Sequence, residues 1–116
     1  MNHFGHIEIP TKDFKMAKKF FGSVFNWKFQ EVPEMEYVLF RAGMKPNGGF
    51  FKVKKMPKTG QVNVYIEVKE INTTLKKIKR LGGAVIIKKS PVADMGWFAA
   101  FTTPDGCHLY LWQRKV

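Results

Sequence analysis

The sequence is short of several things, and each shortage narrows the field. It has one cysteine, Cys107, which excludes an intrachain disulfide and any metal site built from several thiolates. It has no apolar run near the roughly 20 residues that a membrane-spanning helix needs. The opening Met1-Asn2-His3-Phe4-Gly5 has no basic segment leading into an apolar stretch, so no secretion leader is expected and the cytoplasm is the default location. Acidic residues number 9 against 20 basic, for a formal charge of +11. Such an excess suits a polyanionic partner. Yet only Arg41, Arg80 and Arg114 are arginines. Phosphate and base-edge readers lean on the arginine fork, so a lysine-rich solvated surface is the simpler reading and nucleic acid is not the expected partner.

What is present is a core. At 116 residues, 45% hydrophobic and with 11 phenylalanines, the chain is long enough for one domain with a buried interior. His6-Ile7-Glu8-Ile9 alternates and is closed by Pro10, as a strand does. Asp13 is placed to cap a helix whose apolar positions are Phe14, Ala17, Phe20, Phe21, Val24 and Phe25, a stripe expected to be core, and Asn26 suits its left-handed end. Trp27 to Val32 and Met35 to Arg41 form a hairpin. Gly43 to Gly49 reads as a turn region, Gly49 to Lys54 as a strand and Lys55 to Gln61 as a linker. Val62 to Val68 is again a strand. Asn72 is expected to cap a second helix with Leu75, Ile78 and Leu81 on its apolar side, ended by Gly82-Gly83. Ala84 to Lys88 reads as a strand and Ser90 to Met95 as a loop. Gly96 to Gln113 is a hairpin around Pro104-Asp105-Gly106.

The pattern therefore occurs twice. His6-Ile7-Glu8-Ile9 matches Tyr65-Ile66-Glu67-Val68, and each half runs strand, helix, strand, strand, strand. A repeat of this length implies two similar packed modules. The expected fold class is α+β: two tandem βαβββ modules, about 4–54 and 62–114, joined by a linker at about 55–61 within the single domain 1–116. They form a curved, mostly antiparallel sheet around a shared cavity, with the helices outside.

Alternation then nominates a site. His6, Glu8, Tyr65, Glu67, His108, Tyr110 and Trp112 are expected to face inward, together with Trp97, Phe101, Tyr37 and Arg41. Two neighbouring carboxylates, Glu8 and Glu67, would drive one pKa upward and make an acid/base pair; the plainer reading gives each a Lys or Tyr partner. His6 reads as a base, a lone metal ligand or a hydrogen-bonded core histidine. Trp97, Trp112 and Tyr110 suit stacking on a flat ligand, although an aromatic core has the same pattern. Cys107 is expected to pack on the Leu109/Leu111 face.

The paired halves, His6-Ile7-Glu8-Ile9-Pro10, Phe25-Asn26-Trp27, Val64-Tyr65-Ile66-Glu67-Val68, Gly96-Trp97-Phe98 and Pro104-Asp105-Gly106 resemble the vicinal oxygen chelate superfamily, which holds glyoxalase I, the bleomycin-resistance proteins and the extradiol dioxygenases. Phe21 to Trp27, Leu81-Gly82-Gly83 and Leu111-Trp112-Gln113 are similar to its small glyoxalase-related branch. The resemblance implies a metal held by His or Glu at four strand positions. Here these are His6, then Gly49 or Phe51, then Tyr65, then Tyr110. Only His6 keeps a ligand type, and a tyrosine hydroxyl is mostly protonated near neutral pH, so no metal site and no cofactor are expected, with a divalent metal on relocated ligands (His6, His108 and the two Glu) as the alternative. The resemblance also implies a homodimer. Four functions follow as expectations. The first is a metal-independent pocket for a small organic molecule, in a lyase or isomerase. The others are a sequestering protein like the resistance relatives, a metal-dependent lyase or dioxygenase, and a basic nucleic-acid module.

Overall fold

The structure is a computed structural model that describes residues 2–57 and 61–116; positions 58–60 of the expected linker lie outside the described residues. In chain order it contains β1 (Phe4–Thr11), α1 (Phe14–Phe25), β2 (Lys28–Val32), β3 (Tyr37–Arg41) and β4 (Asn47–Lys52). Then come β5 (Asn63–Glu67), α2 (Ile71–Arg80), β6 (Ala84–Val92), β7 (Gly96–Thr102) and β8 (His108–Arg114). A 3-10 turn, Pro33–Met35, links β2 to β3. The βαβββ sequence thus occurs twice, in the mixed α+β class. The chain divides into two compact units, His6–Asn63 and Val64–Val116, the second also holding the chain start through Gly5. There the His3 carbonyl accepts the Glu67 N–H at 2.8 Å.

In the first unit β4 pairs parallel with β1 and antiparallel with β3, which pairs antiparallel with β2. Facing residues across a ladder share a side. The pairs Val38↔Phe50 and Phe29↔Phe40 therefore set one side, and it carries the core of Ala17, Val38, Phe40 and Phe50, with Ile9, Phe14, Phe21, Trp27 and Phe29 against it. Asp13 starts α1 by accepting the Lys15 and Met16 N–H groups at 2.9 and 3.3 Å, and Asn26 ends it in the left-handed conformation, φ 60°. The helix stripe is not all core. Phe20, Val24 and Phe25 are 52%, 57% and 55% exposed. Phe14, Ala17 and Phe21 occupy the contact with the sheet. Phe20 and Val24 lie off to one side, about 100° around the helix from Phe21 in the case of Phe20, so a stripe this wide overhangs one sheet face, and Phe25 stands at the exposed end of the helix.

The expected turn up to Gly49 also needs correcting, because Asn47, Gly48 and Gly49 open β4. Glycine is needed there by close approach rather than by a turn. A Cβ at Gly48 would fall 1.8 Å from the Ile7 carbonyl oxygen, and one at Gly49 would fall 2.1–2.3 Å from the Tyr37 ring and hydroxyl.

The second unit repeats the ladder: β5 parallel to β8, with β8 antiparallel to β7 and β7 to β6. Its core is Val68, Ile71, Leu75, Ala99, Phe101 and Leu111, with Ile66, Ile78, Val85, Trp97 and Leu109 packed against it. Three expectations shift. Glu70, not Asn72, caps α2, its carboxylate accepting the Thr73 N–H at 3.2 Å; Ile71 is drawn wholly into the core, and its N–H is taken by Gln113 Oε1 at 2.8 Å. Leu81, expected on the apolar side, is the exposed residue that ends the helix. β6 runs on to Val92, through the expected Ser90–Met95 loop, with two register shifts that let the longer strand follow β7.

Candidate functional site

In the first unit three of the expected residues meet. The Tyr37 hydroxyl donates to Glu8 Oε2 at 2.8 Å and lies 2.7 Å from His6 Nε2. Because that hydroxyl's single proton goes to Glu8, His6 must donate from Nε2, which leaves Nδ1 as the lone-pair nitrogen. The His6 and Tyr37 rings stack at 6.2 Å. Asn63 Nδ2 adds a donor to Glu8 Oε1 at 3.3 Å. Burial holds the His6 imidazole below its ordinary range, and the nearby Glu8 charge opposes this without cancelling it. The sheet register explains the meeting. His6, Glu8 and Gly49 share the side opposite the core, Tyr37 reaches across from β3, and Gly49 leaves room for its ring.

His6 also lines a cleft of about 430 Å³ at one end of this unit's sheet. Lys28 and Gln30 from β2, Arg41 from β3 and Asn47 from β4 complete its polar side, with Leu39 of β3 beside them. Of the residues expected to face inward, Arg41 lines this cleft with His6. Lys28, Gln30 and Asn47 were not expected. Alternation along β2 nominates Lys28 and Gln30 only once the β2–β3 register, Lys28↔Arg41 and Gln30↔Leu39, is known.

In the second unit Tyr65 faces Tyr110 and Glu67 faces Trp112 across the β5–β8 ladder. The Tyr65 and Tyr110 rings stack at 4.8 Å, and His108 stacks on Tyr110 at 5.7 Å. Tyr65 is buried, Tyr110 and Trp112 are half-buried, and His108 is exposed. Glu67 accepts from Arg114 at 2.7 Å. It therefore has a cation of its own, which is the plainer of the two expectations with Arg in place of Lys. Trp97 and Phe101 are corrected. Their partners across β7–β8 are Gln113 and Leu109, so they lie on the core side, where Lys89 sits 4.8 Å over the Trp97 ring and pairs with Glu70 at 2.9 Å. The residue that does share the Trp112 side is Phe98, one position from Trp97. Cys107 is corrected too: it is exposed, in the loop tied by the Thr103–Asp105 contact at 2.6 Å.

The donor set does not fit the metal that the resemblance implies. His6 Nε2 is engaged by Tyr37. At Gly49 the Tyr37 ring stands where a ligating side chain would begin. The third and fourth positions carry the stacked pair Tyr65 and Tyr110. Among the described residues no three of His, Cys, Asp and Glu gather as a metal-holding group, and no helix is long and apolar enough to cross a membrane.

Comparison with known proteins places this geometry. A family model described as bleomycin resistance protein-like N-terminal matches residues 3–43. A glyoxylase-like domain-containing protein of Didymella fabae is 34% identical over 85 residues, covering 66% of this chain and 66% of the relative. The protein CFP32 of Mycobacterium tuberculosis, named as a glyoxylase, is 28% identical over 94% of this chain; the chain spans only 44% of that relative's length. Among solved structures, methylmalonyl-CoA epimerase from Mycobacterium tuberculosis superposes with a TM-score of 0.77 at 10% identity, covering 98% of this chain and 89% of the other. A glyoxalase/bleomycin resistance protein/dioxygenase superfamily member from Vibrio splendidus does so with 0.70 at 17%, covering 97% and 99%. The eight strands, the duplicated ladder and the matched sequences agree, and the chain belongs to the glyoxalase/bleomycin resistance protein/dioxygenase superfamily.

Proposed function

We propose that the chain binds a small organic molecule and moves a proton on it without the superfamily's metal, as a lyase or isomerase would, with His6, Tyr37 and Glu8 as the working set. The observation that carries this is the Tyr37 hydroxyl placed 2.7 Å from His6 Nε2 and 2.8 Å from Glu8 Oε2. Burial keeps His6 neutral near pH 7, the state a general base needs. A substrate C–H or O–H gives its proton to Nδ1. The imidazolium so formed is stabilised by the Glu8 carboxylate through Tyr37, and the same nitrogen returns the proton to the product. The C–H electron pair passes into the neighbouring carbonyl as an enolate. A proton returned to a different atom completes an isomerisation, and one returned to the same carbon inverts a stereocentre only after the planar enolate has turned its other face to His6. An epimerase stands among the proteins of similar fold. Glu67, held by Arg114, has no part in this step. The proposal places the protein in the cytoplasm as a homodimer.

The test is proton exchange in D₂O, followed by ¹H NMR, over 2-oxo acids, 2-hydroxy acids and acyl thioesters including methylmalonyl-CoA. Exchange of an α-proton in one of them, lost in H6Q and cut at least tenfold in Y37F, is expected. No exchange anywhere, with the His6 resonances unmoved by every compound, refutes the reading. The stacked Tyr65, Tyr110 and His108 rings favour a second reading, a sequestering protein. It requires tight binding with no exchange, and binding that survives H6Q.

A further inference from the structure

We infer that the cleft at the end of the first unit's sheet is an anion seat, and that the small molecule is recognised there by a carboxylate or phosphate group. This rests on the proposed function and names its substrate class. Lys28 and Arg41 face each other directly across the β2–β3 ladder. Like charges in directly opposed positions destabilise a sheet, and an anion between them removes that cost. Among the described residues neither cation is in an ion pair, and no carboxylate lines the cleft. The acid nearest in the chain's pattern, Glu8, is taken by Tyr37 and Asn63.

The rest of the lining is of the same character. Asn47 accepts the Ala42 N–H through Oδ1 at 3.0 Å, so its Nδ2–H donors are not used in that bond. Gln30 adds a second amide, and Leu39 with the edges of Phe29 and Phe40 gives the cleft an apolar side. A guanidinium, an ammonium and amide donors beside an apolar wall suit an organic anion better than a bare cation or a neutral sugar. His6 lies in the same lining, so a group held by Arg41 and Lys28 brings its neighbouring carbon or oxygen toward the imidazole.

The experiment titrates the whole chain, at fixed ionic strength, with inorganic phosphate in one arm and oxalate in the other, read by calorimetry and by the His6 resonances. Saturable binding in at least one arm is expected, weakened tenfold or more by R41Q and by K28Q and unchanged by K77Q on α2. Saturation by phosphate alone assigns a phosphate ester, and by oxalate alone a carboxylate. Weakening by K77Q equal to that by R41Q shows diffuse attraction to a basic surface and overturns the seat, as does the absence of saturation in both arms. Anion binding lost in R41Q with no proton exchange in any compound keeps the seat and refutes the proton-transfer reading. Exchange that proceeds in R41Q and K28Q with unaltered KM refutes the seat and keeps the chemistry.

Discussion

Gly49→Ala is the most informative single change, because it adds one methyl group where the Tyr37 ring already stands. The new Cβ would lie 2.1 Å from Cε2, 2.2 Å from Cζ and 2.3 Å from the hydroxyl oxygen of Tyr37. Ordinary van der Waals contact starts near 3.4 Å, so the ring must swing by an ångström or more. Gly49 sits in an extended strand, so the change brings no backbone penalty and its whole effect runs through Tyr37. The swing breaks the contacts to His6 and Glu8, at 2.7 and 2.8 Å. Overpacking costs about 1–3 kcal/mol, and each of the two lost hydrogen bonds about 0.5–1.5 kcal/mol, for a total of about 2–6 kcal/mol. Urea denaturation followed by tryptophan fluorescence measures it. In a Y37A background the added methyl has no ring to meet, and its effect should shrink to within about 0.5 kcal/mol. With the ring displaced, His6 is better hydrated, and its NMR titration should move up toward the ordinary imidazole range. Wild-type stability in G49A together with an unmoved His6 titration would refute the account of how Gly49 and Tyr37 build the site.

Phe50→Ala should destabilise the fold by about 3–5 kcal/mol, because Phe50 is fully buried and packs on Phe21 and Phe40 with ring centroids 5.2 and 5.1 Å away. Phe20→Ala, half exposed on α1, should cost less than about 1 kcal/mol; equal losses in the two urea midpoints would refute the division of the helix stripe. The depressed His6 pKa means that the unfolded chain binds this proton more readily. Stability should therefore be full above the ordinary value of 6.5 and fall as the pH drops through the lower folded value, and urea midpoints against pH should lose that component in H6Q. Cys107 should react in the folded protein with a disulfide reagent at close to the rate of a free thiol, without a shift in Tm, as its exposed loop requires; a protected thiol would restore the packed placement.

Much of the fold is local in origin, which is why the sequence carries it. Asp13 and Asn26 cap α1 by their own chemistry, and the period-two pattern of His108 to Gln113 puts Leu109 and Leu111 on the core side whatever they pair with. The duplicated βαβββ order follows from those local signals taken twice. Of the candidate site, only the pairs that share a face of a single strand are legible in the sequence: His6 with Glu8, and Tyr110 with Trp112. Relations between strands are not. Trp97 and Phe101 lie on the core side rather than the inward side that alternation suggests, because a strand's two faces are distinguished by register. That register is set by the loop that pairs Thr102 with His108, and shifting it by one residue exchanges the faces. Glu70 in place of Asn72 as the α2 cap was decided by how deeply Ile71 enters the core.

By itself the sequence determined the elements and the repeat, because composition and period are properties of neighbouring residues, and only through the family resemblance does it imply that three metal-ligand positions carry other residue types. Only the tertiary structure decided that Tyr37 joins His6 to Glu8 over Gly49, and that Lys28 stands opposite Arg41. Those contacts join residues from different strands, and no spacing along the chain encodes a distance across a sheet.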